Sequence, residues 1–184
     1  MSLSRTPVRP YGWTSDASLG GGWIGAWGSH IIDFLRLSVG EIVDASAQLR
    51  TTVFERPDAD GHLHRCTAED GFSARLCTGA GITASIDGTS VSSVSVPSAI
   101  TALGSTGTLE VVGDQQIMRR DEAGVYEEFR MNEGVGNLAV PMLRWAAMVR
   151  DAVRQGAPEA GSPTFADGLA CRQVLDRLLE DSTR

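Results

Sequence analysis

At Gly40 the spacing of apolar residues changes from a helical period of about 3.6 to a period of 2, and it stays near 2 as far as Phe129. Upstream, between residues 23 and 37, Ile24, Ile31 and Leu35, with Gly28, make one helical stripe. Trp23, Trp27, His30 and Phe34 make the neighbouring stripe. Gly40 then caps the helix, since glycine takes the left-handed backbone that a helix C-terminus often needs. Downstream, Val43, Ala45, Ala47, Leu49 and Val53 alternate with more polar residues. So do Phe72, Ala74 and Leu76, and then Ile82, Ala84 and Ile86. A half-buried strand has this pattern because successive side chains point to opposite faces. Val94 and Val96 predict a further strand, followed by strands near residues 100–103 and 108–112 and a hairpin of 115–119 with 125–129. No helical stretch separates these strands, and short turns link antiparallel neighbours, whereas parallel ones need long crossovers. Residues 41–130 are therefore expected to form one antiparallel layer.

The last fifty or so residues return to helix. Asn137 is the expected N-cap of a helix with Pro141 in its first turn, running to about residue 155 and stopped by Gly156 and Pro158. Trp145 on that helix is assigned to the core. Thr164 and Asp167 form a capping pair for a final helix whose apolar face is Phe165, Leu169, Leu175, Leu178 and Leu179. The order of helix, many strands and two helices makes the chain α+β, with an open, predominantly antiparallel sheet. Residues 1–19 are expected to be an N-terminal arm and residues 20–184 the domain.

A hydrophobic content of 42% and a charged content of 21% suit an ordinary globular core. The formal net charge of −7 repels phosphate backbones and anionic bilayers, so nucleic acid and membrane are excluded as expected partners. Cys66, Cys77 and Cys171 lie far apart and make no CxxC pair, which points to a reduced, cytoplasmic compartment. No apolar run approaches the ~20 residues that cross a bilayer, and no signal peptide is recognisable.

Two motifs are expected to carry no chemistry. Gly79-Ala80-Gly81-Ile82-Thr83-Ala84 fits the GxGxxA form of a dinucleotide fingerprint, which works only where glycines join a strand to a helix N-terminus. Here strand periodicity follows, so a hairpin turn is predicted. His62, His64 and Cys66 alternate and would share one side of a strand, but no fourth ligand completes a structural zinc set, and an exposed loop after a turn is expected. No GxSxG nucleophile elbow is present.

The stretch that can carry chemistry is Gly20-Gly21-Gly22-Trp23-Ile24-Gly25-Ala26-Trp27-Gly28-Ser29-His30-Ile31-Ile32-Asp33. Its glycines let a helix start close against another surface. An imidazole gives or takes a proton near neutral pH, and Asp33, three residues after His30, lies where it can orient the ring. Trp13, Asp16, Trp23 and Trp27 either line a substrate cavity beside His30, as flat aromatic walls suit ring compounds, or pack between arm, helix and sheet.

This Gly-Gly-Gly…Gly-Ser-His-x-x-Asp opening, followed by a strand, resembles the start of the C-terminal domain of the Gfo/Idh/MocA family of dehydrogenases. Leu103-Gly104-Ser105-Thr106-Gly107-Thr108-Leu109 is similar to that family's Gly-x-x-Gly-Thr-Leu turn, and the run from Thr164 to Leu169 resembles the start of its final helix. The resemblance implies an open sheet with helices packed on one face, of the dihydrodipicolinate reductase-like type, and subunit contacts through the other. It implies NAD or NADP on an N-terminal Rossmann domain and hydride transfer with a sugar, cyclitol or related hydroxy compound. His30 matches the histidine that serves acid/base chemistry or substrate binding in that family. Ala26 stands where many members carry an aspartate one turn before the histidine. These residues include neither a nucleotide-binding domain nor its lysine motif, so no cofactor is expected on them alone and no activity in isolation. A homodimer through the open sheet is the expected assembly. The other reading is a non-catalytic oligomerisation or ligand-binding module derived from the family.

Overall fold

In a computed structural model of the chain, the described residues are 9–94, 96–113, 115–130, 139–159 and 161–181. They fall into two compact units, one of residues 9–94 with 163–181 and the other of the described residues between 96 and 162.

The first unit is built on three antiparallel strands, β1 (Ile42–Arg50), β4 (Gly71–Thr78) and β5 (Thr83–Thr89), in the order β1-β4-β5. A short hairpin of β2 (Glu55–Pro57) and β3 (Leu63–Arg65) stands beside them in sequence. Alternation sorts the central sheet into two faces. Register sets Leu49 opposite Phe72 and Phe72 opposite Gly88; Ala47, Ala74 and Ile86 form the next row, and Ala45, Leu76 and Ala84 the third. These residues pack with Ile24 and Ile32 from the first helix, α1 (Ser29–Val39), and its preceding turn. Cys171, Val174, Leu175 and Leu178 of the last helix, α3 (Phe165–Asp181), complete the core. Ser46, Gln48, Arg75, Ser85 and Asp87 are exposed on the outward face. Helices thus cover one face of an antiparallel sheet, as expected.

Several expectations shift by a residue, each for a local reason. Ile42, not Val43, is the buried residue at the start of β1, because a bulge between Ile42 and Asp44 turns Val43 outward to 57% exposure. The helix expected to run unbroken from Trp23 begins as a π turn, Ile24–Gly28, in which the Ser29 amide bonds to the Ile24 carbonyl. That turn spends one extra residue, so the buried line runs through Ile24, Gly28, Ile32 and Arg36 rather than through Ile31 and Leu35. Leu175 and Leu178 are buried and Leu179 packs against the core as expected, but Phe165 and Leu169 are exposed, and Cys171 and Val174 join the inward face of α3 instead. The capping pair holds: the Thr164 amide and hydroxyl both donate to Asp167 Oδ2 at 2.7 Å.

Arg36 is buried and joins three elements. Its Nε and Nη2 donate to the Glu41 carboxylate at 3.0 and 2.7 Å, and Nη1 donates to the Asp167 carbonyl at 2.9 Å. The bond from Arg36 holds the Glu41 carboxyl below the usual carboxylate range. A depressed carboxyl stabilises the fold above its unfolded pKa and loses that contribution as pH falls through its folded one. Glu41→Gln is therefore expected to flatten the acid limb of the stability curve below about pH 4, read as the urea midpoint against pH. The effect is small, since Glu41 is mostly exposed.

The second unit is a four-stranded antiparallel meander of β6 (Ala99–Gly104), β7 (Gly107–Val112), β8 (Gln116–Asp121) and β9 (Tyr126–Arg130), with helix α2 (Ala139–Gln155). The 115–119/125–129 hairpin is present as β8 and β9, and Gly156 ends α2. The strands thus hydrogen-bond as three sheets among the described residues, not as one layer. Val94 and Val96 are outside any strand; Ser92 Oγ donates to the Val94 carbonyl at 2.5 Å, a local bond that competes with a ladder. Trp145 is 50% exposed rather than core. Asn137 lies outside the described residues. No helix among the described residues is long and apolar enough to cross a membrane.

Candidate functional site

The glycine run is the starting point of the site. A Cβ on Gly21 would lie 2.1 Å from the Trp13 carbonyl oxygen, and one on Gly22, at φ +125°, would lie 2.3 Å from Glu69 Oε1. Only glycine leaves room for that carboxylate. Glu69 Oε1 accepts the Ile24 amide at 2.9 Å, and the Glu69 carbonyl accepts the Trp23 amide at 3.0 Å. Two of the amides that a helix start leaves unpaired are thereby satisfied by one residue. Burial pushes the Glu69 carboxyl above the usual carboxylate range, with the bond from Ile24 opposing it. The π turn follows, and His30 is the second residue of α1.

His30 is exposed and lines an open groove of about 360 Å³ between α1 and the start of α3. Ser29 and Asp33 share its wall on the α1 side; Thr164, Asp167, Cys171 and Arg172 face them from α3. The imidazole has no hydrogen-bond partner among the described residues. Asp33, expected to orient the ring, instead lies 3.4 Å from Arg36 Nη1. Bonds from Thr164 hold the Asp167 carboxyl below the usual range. Arg172 Nη2 is 2.6 Å from Asp176 Oδ1. Burial pushes the Cys171 thiol up, and its Sγ donates to the Ser29 carbonyl at 3.4 Å, so this sulfur is no activated nucleophile. The wall therefore offers hydroxyl-binding acceptors, one cation and one imidazole free to exchange a proton.

The groove brings together His30 and Asp33 but none of the other four candidates. Trp23 is buried and stacks on Trp27 with centroids 6.2 Å apart and planes 1° apart; Trp27 in turn tilts against Phe72. Both indoles act in packing here. Trp13 is 56% exposed on a 3-10 turn away from the groove. Asp16 caps the next 3-10 turn, accepting bonds from Ser18 and Tyr11 that hold its carboxyl below the usual range. Ala26 is half-buried. Glu69 and the α3 wall carry no mark in the sequence pattern of the first helix and strands. Thr164, Asp167, Cys171 and Arg172 do recur at helical spacing, which is the signal that would mark a shared stripe.

Gly79 to Ile82 form the turn between antiparallel β4 and β5, as expected, with the Thr78 amide donating to the Ile82 carbonyl at 2.9 Å. No helix N-terminus follows those glycines, so the segment does not fit a dinucleotide pyrophosphate. His62 and His64 are exposed around Asp58, with His64 Nε2 2.7 Å from Asp58 Oδ2, while Cys66 is buried. His64 sits in β3, so the expected loop is in part a short strand.

The same architecture occurs in known proteins. The chain is 23% identical over 201 residues to the mouse (Mus musculus) glucose-fructose oxidoreductase domain-containing protein 1, covering 95% of this chain and 50% of that protein. The solved complex of levoglucosan dehydrogenase with NADH and L-sorbose superposes with a TM-score of 0.81 at 19% identity, over 96% of this chain and 53% of that one. An oxidoreductase domain protein from Kribbella flavida gives a TM-score of 0.79 at 22% identity, over 95% of this chain and 53% of its own. The chain spans about half the length of these relatives. A family model described as the GFO/IDH/MocA C-terminal domain matches residues 2–110, and the chain belongs to that family.

Proposed function

We propose that this oxidoreductase-type domain is the substrate-facing wall of a nicotinamide-dependent enzyme acting on a sugar, cyclitol or related hydroxy compound, with His30 exchanging the proton of the reacting hydroxyl. The observation that carries the reading is an exposed imidazole, free of partners among the described residues, on a groove flanked by carboxylates. Its support from outside is a shared fold with a dehydrogenase solved with NADH and L-sorbose. Asp33 and Asp167 accept hydrogen bonds from ligand hydroxyls, and Arg172 donates them. NAD or NADP is held by a segment outside these residues, since their glycine-rich turn does not fit it. Alone the domain is inactive, because proton exchange without a redox partner at the same carbon accomplishes nothing. Self-association through the uncovered sheet face, as a homodimer, belongs to the same reading.

The test uses the protein joined to its nicotinamide-binding segment. His30→Ala is expected to lower kcat/KM by about 100-fold while leaving nicotinamide affinity unchanged. A full-length protein that binds no nicotinamide in a titration would end the dehydrogenase reading. An unchanged kcat/KM would instead favour a non-catalytic ligand-binding or oligomerisation module. Ala26 favours that second reading, since no carboxylate stands one turn before His30 to raise its basicity.

A further inference from the structure

We infer that Glu69 is a positioning residue: its carboxylate clamps the π turn Ile24–Gly28, and the clamp sets the rotation at which α1 presents His30 to the groove. The geometric part stands on its own; the catalytic consequence rests on the reading of His30 proposed above.

Three observations converge on it. Glu69 accepts from both amides at the entry to the turn, that of Trp23 through its carbonyl and that of Ile24 through Oε1, at 3.0 and 2.9 Å. Its carboxylate fills the space that a side chain on Gly22 would need, so the glycine at that position is what lets it approach the Ile24 amide. The turn itself closes with the Ser29 amide on the Ile24 carbonyl, a five-residue bond where an α-helix uses four. One residue of α-helix subtends roughly 100°. Inserting one extra residue therefore rotates everything after Gly28 by about that angle relative to an unbroken helix.

The rotation decides what faces the groove. In an unbroken helix, His30 would continue the stripe of Trp23 and Trp27, which packs inward against Phe72. With the extra residue, Ile32 and Arg36 take the buried line, and His30 and Asp33 come to face α3. π turns are rare because their hydrogen bonding is less favourable than that of the α-helix, so one persists only where its surroundings hold it. Glu69 at one end and the parallel Trp23–Trp27 stack along its side are what hold it here.

The test reads geometry and turnover separately. On this full chain, Glu69→Ala is expected to shift the ring signals of the Trp23–Trp27 pair and of His30 in proton–carbon NMR spectra. Glu69→Gln keeps an acceptor oxygen and is expected to restore both. In the protein joined to its nicotinamide-binding segment, Glu69→Ala is expected to lower kcat/KM about tenfold, with recovery in Glu69→Gln. A folded Glu69→Ala chain with unchanged indole and imidazole ring signals overturns the inference, as does a Gln variant that restores neither. Shifted ring signals with unchanged turnover leave the clamp standing and remove His30 from the chemistry. If Glu69→Ala does not fold, amide exchange in the wild-type chain decides: Ile24 exchanging as slowly as the interior of α1 supports the clamp, and exchange at the rate of an exposed loop overturns it.

Discussion

Replacing Phe72 with alanine is expected to destabilise the chain by about 3–5 kcal/mol, measured as the shift in urea unfolding free energy. The ring is 1% exposed and sits at the middle of the row that runs from Leu49 to Gly88. Two of the residues packed close to it are glycines. A Cβ on Gly28 would come within 3.1 Å of Phe72 Cζ, and one on Gly88 within 2.8 Å of Phe72 Cε1. Backbone walls cannot swing into a gap as side chains can, so on those two sides the cavity left by truncation stays open. Phe72→Leu keeps most of the volume and is expected to lose less than half as much. The complementary change, Gly88→Ala, is disfavoured against the native ring and tolerated against Phe72→Leu, so the pair should show strong non-additivity in a double-mutant cycle. A loss below about 1.5 kcal/mol for Phe72→Ala would mean that the two glycine-bearing segments close over the gap, contrary to the packing described.

Phe72 also shows what is legible in the sequence. Its alternation with Ala74 and Leu76 is enough by itself to mark an inward strand face, because a strand has no other way to bury every second residue. The same logic finds β5 and the β8–β9 hairpin. It fails where one residue is inserted without a side-chain signature: the bulge at Val43 and the π turn at Ile24–Gly28 each move the buried face by one position. It also fails where a short local bond outcompetes a ladder, as at Ser92 and Val94. The site is half legible. His30 and Asp33 stand out by chemistry, and Thr164 with Asp167 by capping pattern, but their convergence on one groove is a pairing across more than a hundred residues that periodicity cannot report. Trp23 and Trp27 suggest a cavity wall by their aromatic chemistry, whereas in the fold they stack on each other and pack on the core. Glu69 and Asp70 are silent because they lie between strands, where no period marks a buried carboxylate.

Asp70 is expected to be worth about 3–4 kcal/mol, lost on substitution by alanine and only partly lost on substitution by asparagine. After β1 ends at Arg50, the next residues leave the ladder and their amides need another acceptor. The Asp70 carboxylate supplies it: the Thr52 amide donates to both oxygens at 2.9 Å, and the Val53 amide donates to Oδ2 at 2.8 Å. The backbone of the same residue receives the Ser90 amide at 2.8 Å and donates to the Arg50 carbonyl at 3.0 Å, so the side chain is held where it is needed. Alanine leaves both amides without their acceptor in a partly buried place, and a charge-assisted bond of this kind contributes about 1.5–3 kcal/mol. Asparagine keeps one carbonyl oxygen and can serve one amide well, so about half of the loss should return. Because Asp70 is buried, its contribution should change little between low and moderate salt, unlike that of an exposed ion pair. Unfolding of Asp70→Ala and Asp70→Asn at two salt concentrations separates these cases. A loss under about 1 kcal/mol for the alanine variant would mean that water reaches the Thr52 and Val53 amides and replaces the carboxylate. The loss should also spread along the chain, since Glu69 depends on the adjacent backbone to reach Ile24. Asp70→Ala is therefore expected to speed amide exchange at Ile24 even though Asp70 makes no bond to α1.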